Sequence, residues 1–157
     1  MQINVRPAVR DELKCVNAIR RQVNDVHVGG RPDIFCPGFT DELRDRVYEQ
    51  FDSGAYEILV ALADGRIAGF AVTTVVDKPR SPYNNARRFY RVDEFGVDES
   101  FRRKGVATAL VAYMKTAAKE KGLDKIELDM WEFNKGALAF YEAAGFTTYR
   151  RYMEMDI

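Results

Sequence analysis

Twelve residues, Val97-Asp98-Glu99-Ser100-Phe101-Arg102-Arg103-Lys104-Gly105-Val106-Ala107-Thr108, leave few choices for the fold around them. They read as the end of a strand, a turn of three consecutive cations, and the start of a helix at a small-residue cluster. A helix N-terminus leaves its first backbone N–H groups unpaired. Those groups and the helix dipole favour an anion. Gly105 and Ala107 carry little or no side chain, so a diphosphate can come close to the backbone. Arg102, Arg103 and Lys104 surround it with positive charge. Alone, the run reads equally as a strand-to-helix turn with solvated bases. It has neither the glycine spacing of a dinucleotide fold nor the Gly-Lys-Ser/Thr of a P-loop.

The flanking elements follow from periodicity. Ile3, Val5 and Pro7 begin a short strand, and Arg10-Asp11-Glu12 opens a helix. Leu13, Val16, Ile19, Val23 and Val26 give that helix one apolar stripe, ending near Gly29-Gly30. A loop with Pro32, Pro37 and Gly38 follows. Thr40 is the expected N-cap of a second helix that buries Leu43, Val47 and Phe51 and stops at Ser53-Gly54. Tyr56 to Ala63 and Arg66 to Val76 read as strands joined by the hairpin turn Ala63-Asp64-Gly65-Arg66. Residues 77–87, with Pro79, Pro82 and Asn84-Asn85, read as a long exposed loop. Phe89 to Val97 is a fourth strand. Gly105 to Lys121 is a long helix burying Val106, Leu110, Met114 and Ala117, and Gly122 stops it. Ile126, Leu128 and Met130 alternate with Glu127, Asp129 and Trp131, the period of a strand. Asn134 to Ala144 is a short helix ended by Gly145, and Phe146 to Met155 is a last strand. The order β-α-α-β-β-β-α-β-α-β predicts a mixed α/β fold in one domain, 1–157, with helices on the faces of a sheet.

Composition removes several classes of function. Lys plus Arg equals Asp plus Glu at 24 each, unlike the basic excess of a general nucleic-acid binder. No apolar run approaches the roughly 18 residues of a membrane span. The opening Met1-Gln2-Ile3-Asn4-Val5-Arg6 has no leader pattern. Cys15 and Cys36 lie far apart and His27 is the one histidine, too small a set for a zinc site. The expectation is a cytoplasmic protein with free thiols, no metal, no membrane and no nucleic-acid partner.

A second motif, Asn134-Lys135-Gly136-Ala137-Leu138-Ala139-Phe140-Tyr141-Glu142-Ala143-Ala144-Gly145-Phe146, gives the first its meaning. Together they resemble the GCN5-related N-acetyltransferase (GNAT) superfamily. The signature Arg/Gln-x-x-Gly-x-Gly/Ala is matched by Arg102, Gly105 and Ala107. The signature Asn-x-x-Ala-x-x-Phe-Tyr-x-x-x-Gly-Phe is matched by Asn134, Ala137, Phe140, Tyr141, Gly145 and Phe146. The resemblance covers essentially the whole chain, since the element order agrees as well. It implies a mostly antiparallel twisted sheet of about seven strands, splayed between strands four and five, with about four helices around it. It implies acetyl-CoA as cosubstrate, wedged in that splay. The turn from Arg102 through Arg103, Lys104, Gly105, Val106 and Ala107 to Thr108 would hold the diphosphate. The backbone near Phe95 and Val97 would bind the pantetheine, with a bulge that Gly96 would permit. Asn134 and Ala137 would contact the cosubstrate, and Tyr141 would lie near its sulfur. Homodimers are common in the family.

The implied reaction is attack of a neutral amine on a thioester. Glu94 is the candidate base; it serves equally as an anion that attracts a cationic amine or pairs with an arginine. Tyr141 is the candidate acid toward the departing thiolate, with packing as its alternative role. Glu127 and Asp129 are weaker candidates, for structural or substrate-attracting roles. The acceptor, a small-molecule or peptide amine, is expected against the first two helices, the 27–39 loop and the 77–87 loop. Those segments carry His27, Arg31, Phe35, Phe39, Pro82 and Tyr83. His27 reads as a surface or capping residue or as a contact, and Trp131 as core or as a platform. Two other readings stay open, a non-catalytic acyl-CoA-binding module and a nucleotide-binding regulator.

Overall fold

The computed structural model describes residues 1–157. Its strands are β1 (Ile3–Pro7), β2 (Glu57–Ala63), β3 (Arg66–Lys78), β4 (Arg87–Val97) and β5 (Ile126–Glu127). Its helices are α1 (Leu13–Gly30), α2 (Asp41–Ser53), α3 (Val106–Glu120) and α4 (Lys135–Ala143). The strands form one sheet in sequence order, antiparallel from β1 to β4, with β5 parallel to β4.

β2 shows why helices cover both faces. All its apolar side chains but the half-buried Leu62 are buried whichever way they point, which is the pattern of a central strand. Ile58 and Val60 join Leu13, Val16, Ile19, Val47, Phe70 and Val72 beneath α1 and α2. Leu59, Ala61 and Ala63 join Val106, Leu110 and Met114 of α3 on the other face. Each fully buried Val, Leu, Ile, Phe or Met among them stabilises by about 1.5–3 kcal/mol. Thr40 caps α2 as expected, its hydroxyl accepting from the Leu43 N–H at 3.2 Å. Phe140, Ala144 and Phe146 seat α4 and the residue beyond it against the α3 side.

The sheet has five strands, fewer than the about seven that the resemblance implied, and three segments differ from the sequence reading. β5 is two residues long, because 128–131 leaves β4. Residues 146–155, expected as a strand, form none, and no backbone hydrogen bond involves 147–157. β3 and β4 run on to Lys78 and from Arg87, so the connection shrinks to 79–86. The bulge in β4 falls at Asp93, between the pairs Val72–Glu94 and Thr73–Val92, and not at Gly96. Gly96 serves close packing instead. A Cβ there would meet both Phe70 and Val23 at 2.8 Å.

Candidate functional site

β4 and β5 pair only at Tyr90–Ile126 and Arg91–Glu127. Beyond those pairs the strands part, leaving a cleft of about 1140 Å³ between β4 residues 92–97 and the 128–131 segment. Parting exposes backbone. The Asp98 N–H bonds Ala68 O at 2.9 Å, which fixes the phase of the antiparallel ladder. Opposed residues alternate between bonded and non-bonded pairs, so Gly96 and Glu94 turn their N–H and C=O toward β3. Phe95 and Val97 turn theirs into the cleft. An extended chain lying there would meet a row of free donors and acceptors, as at any open strand edge.

At the cleft's far end stands the α3 N-terminus. Gly105 is its N-cap at φ 85°, and Arg103 also has positive φ, 60°. The amides of Arg103 through Thr108 donate no hydrogen bond within the protein. Arg102, Arg103, Gly105, Val106, Ala107 and Thr108 all line the cleft. Neither Arg102 nor Arg103 is in an ion pair. Lys104 differs, because its ammonium turns back to donate to Ser100 O at 2.9 Å. The preceding turn is clamped to α1 by Gln22, which donates to Asp98 at 2.9 Å and accepts from the Glu99 N–H at 2.9 Å. Bonds from Ser100 and Gln22 hold the Asp98 carboxyl below its usual pKa.

The second motif closes the cleft from the α4 side. Asn134 caps α4, its Oδ1 accepting from the Ala137 N–H at 3.1 Å, and both residues line the cleft. Tyr141 packs among Phe95, Phe140 and Phe146, with ring centroids 6.0, 5.4 and 5.5 Å away. Its hydroxyl has no protein partner, and burial pushes its pKa up to about 12. It therefore stays a protonated donor at neutral pH.

The opposite wall comes from α1 and the bulge. At the bulge both Asp93 and Glu94 line the cleft. The Arg91 guanidinium engages Asp93 at 2.6 Å. Arg20, 3% exposed, holds Glu94 with its Nε at 3.1 and 3.3 Å. Arg20 also donates to Asn17 at 2.8 Å and to Leu43 O at 2.6 Å. Its remaining Nη2 is buried and unpartnered. Further out, His27 stacks on Phe35 at 4.9 Å, and Phe35 meets the Trp131 edge at 4.9 Å. Burial among these rings lowers the His27 pKa against the opposing pull of Glu94.

The expected residues thus converge, with some exceptions. Of the residues expected to meet the acceptor, only His27 lines the cleft; Arg31, Phe35, Phe39, Pro82 and Tyr83 do not, and Tyr83 is fully exposed. Glu127 faces a different surface, bonded to Arg87 and to the Tyr149 hydroxyl. Asp129 and Trp131 do line it. Arg20 and Gln22 escaped the sequence reading. The signal for Arg20 was a cation at i+4 from Val16 and i−3 from Val23, inside an apolar stripe. Gln22 left none, since its partners lie 76 and 77 residues away.

The cleft thus joins a parted parallel strand pair to six free amides at a helix N-terminus, a place for an extended ligand with an anionic end. The model of the acetyltransferase (GNAT) family matches residues 30–146, and the chain belongs to that family. It is similar to the chloroplastic GCN5-related N-acetyltransferase 4 of Arabidopsis thaliana, 35% identical over 102 residues, 62% of this chain and 35% of that protein. The [ribosomal protein bS18]-alanine N-acetyltransferase of Salmonella typhimurium is 32% identical over 91 residues, 58% of this chain and 55% of the relative. The chain thus spans about a third to just over half of the length of these curated relatives. An F44R mutant of the BH1408 protein from Bacillus halodurans superposes with a TM-score of 0.92 at 26% identity, over 98% of this chain and 99% of that one. AAC(6')-Iy with a CoA-S-monomethyl-acetylneamine bisubstrate analogue superposes at 0.76 and 20% identity, over 100% and 99%, a likeness of fold.

Proposed function

We propose that this chain is a single-domain N-acetyltransferase, 1–157, that moves the acetyl group of acetyl-CoA to a primary amine of a small molecule or peptide in a ternary complex. The observation that carries the proposal is the junction of three features in one cleft: six free amides at the α3 N-terminus, the outward backbone of Phe95 and Val97, and the unpartnered Tyr141 hydroxyl. Bound acetyl-CoA would supply an activated acetyl thioester. The amides from Arg103 to Thr108 and the free Arg102 and Arg103 cations fit its diphosphate, and the β4 edge fits its amide-bearing arm.

The chain's own groups then have distinct tasks. A lysine-like amine has a pKa near 10.4, so deprotonating it at pH 7 costs roughly 4.6 kcal/mol. Orienting amine and thioester contributes up to about 7–11 kcal/mol, so positioning outweighs the base. Glu94, fixed by Arg20, draws the ammonium in and takes its proton directly or through water. The Phe95 or Val97 N–H donates to the carbonyl oxygen as charge gathers there, a contact worth about 2.7–4 kcal/mol. Tyr141 donates its proton to the departing sulfur. The two exposed, unpaired thiols, Cys15 and Cys36, suit a cytoplasmic location.

The test is calorimetry with CoA and acetyl-CoA, followed by thiol release with a panel of amines. Binding and amine-dependent thiol release are the expected results. Failure of both CoA species to bind at millimolar concentration overturns the reading. Tight binding without turnover on any amine moves the chain to the non-catalytic class.

A further inference from the structure

A second cavity, of about 350 Å³, lies between the start of β2, the part of β3 beyond it and the end of α3. It shares no lining residue with the cleft. α3 has 15 residues, so this cavity stands about 22 Å along the helix from the free amides. Glu57 and Lys121 bring opposite charges to its wall and do not pair with each other. Glu57 is half-buried, and its Oε1 is shut away from water with no donor in reach. A buried carboxylate oxygen left without a donor costs free energy. The hydroxyls beside it cannot supply one, because their protons are spent. Tyr90 donates to Thr73 Oγ1 at 2.9 Å, Thr73 to Glu57 O at 3.1 Å, and Thr74 to Ala55 O at 2.8 Å. Burial first, and then the Glu57 charge, raises the Tyr113 pKa, so the carboxylate lies close under α3.

Other groups of the same cavity suit an anion. Lys121, at the C-cap of α3, is exposed and has no ion pair. Thr73 turns its N–H and C=O toward Glu57 across the last β2–β3 pair. Val75, two residues on, turns its own the same way, past the point where β2 begins. Its N–H finds no backbone acceptor there. Phe51, Tyr56 and Ile58 add an apolar side. A lone ammonium in this space would be opposed by Lys121, and a lone carboxylate by Glu57. A molecule with both charges on one carbon satisfies both residues, and the volume is that of a small-molecule site. We infer that this cavity is a second ligand site that takes a free α-amino acid, its ammonium on Glu57, its carboxylate toward Lys121 and the Val75 N–H, and its side chain against Phe51 and Tyr56. This inference stands apart from the transferase reading.

The probes are the standard amino acids, each at about 10 mM, read by melting temperature and then by calorimetry. Ethylamine and propionate serve as controls with a single charge. At least one amino acid should bind, and both controls should bind about tenfold or more weakly than it does. Glu57→Gln keeps the shape of the side chain, removes its charge and should weaken that amino acid by about tenfold or more. Lys121→Glu sets a carboxylate against the one on the ligand and should weaken it to a similar degree. Lys121 is exposed, so this variant carries the test even where Glu57→Gln fails to fold. Asp129→Asn, in the cleft, should leave the affinity unchanged. No binding by any amino acid, a control that binds as well as the amino acid, affinity that survives either substitution in the cavity, or affinity lost through Asp129→Asn would each overturn the site.

Discussion

Arg20 is where burial and charge meet most sharply. A guanidinium at 3% exposure is tolerated only because Glu94, Asn17 and the Leu43 carbonyl surround it. Replacing it with Met, of similar length, leaves those three acceptors facing a thioether. Arg20→Met should destabilise the fold by about 2–4 kcal/mol, read as a lower urea midpoint. Tyr141 carries the complementary prediction. Its ring fills space that Phe fills equally, so Tyr141→Phe should leave acetyl-CoA affinity unchanged while kcat falls by about 10²–10⁴. Unchanged turnover in a steady-state assay would remove the hydroxyl from the mechanism. His27 titrates against the fold. Its folded pKa lies below the ordinary 6.5, so below pH 6.5 the unfolded chain binds a proton that the native chain refuses. Stability is full above that point and declines as pH falls toward the folded pKa. His27→Gln should flatten that stretch of a melting-temperature profile, and an unaltered profile would show that the imidazole adds nothing to it.

At the scale of elements, the sequence disclosed what periodicity and capping control. α1, α2, α3 and the β2–β3 hairpin were readable because apolar spacing, Thr40, Gly54 and Asp64-Gly65 are local signals. The cleft was less readable, because it is a place where pairing stops. Ile126 to Trp131 alternates as a strand throughout, yet only two of its residues find β4. Nothing local says where two strands separate. The bulge was expected at the glycine and falls at Asp93, because Gly96 is pressed against Phe70 and Val23 from another part of the chain. That contact is itself testable. Gly96→Ala puts a methyl 2.8 Å from two side chains and should cost about 1–3 kcal/mol by overpacking. Because β4 then shifts relative to α1, acetyl-CoA affinity should fall along with the melting temperature. A variant as stable as the parent would show that α1 yields at that point.

Across the whole molecule, a formal net charge of zero hides a division of labour. Arg102 and Arg103, neither in an ion pair, stand at one end of the cleft, and Asp93, Glu94 and Asp129 line its walls. An anionic ligand and a cationic acceptor can therefore enter one cleft without competing for the same charges. The proposed cosubstrate should also stiffen the fold by linkage, since the contacts proposed for it come from β4, α3 and α4 and would exist only when all three are in place. At one hundred times its dissociation constant a ligand of the native state adds about 2.7 kcal/mol. For a chain of this size that is about 5–11 °C in melting temperature. CoA and acetyl-CoA should both produce the shift. ATP shares the phosphates but lacks the arm that pairs with Phe95 and Val97, so it should produce a markedly smaller one. Raising salt from 50 to 500 mM should shrink the ATP shift proportionally more, because screening weakens the contacts at Arg102 and Arg103 while leaving backbone pairing along β4 intact. Equal shifts from ATP and CoA at every salt concentration would mean that the β4 edge takes no part in binding.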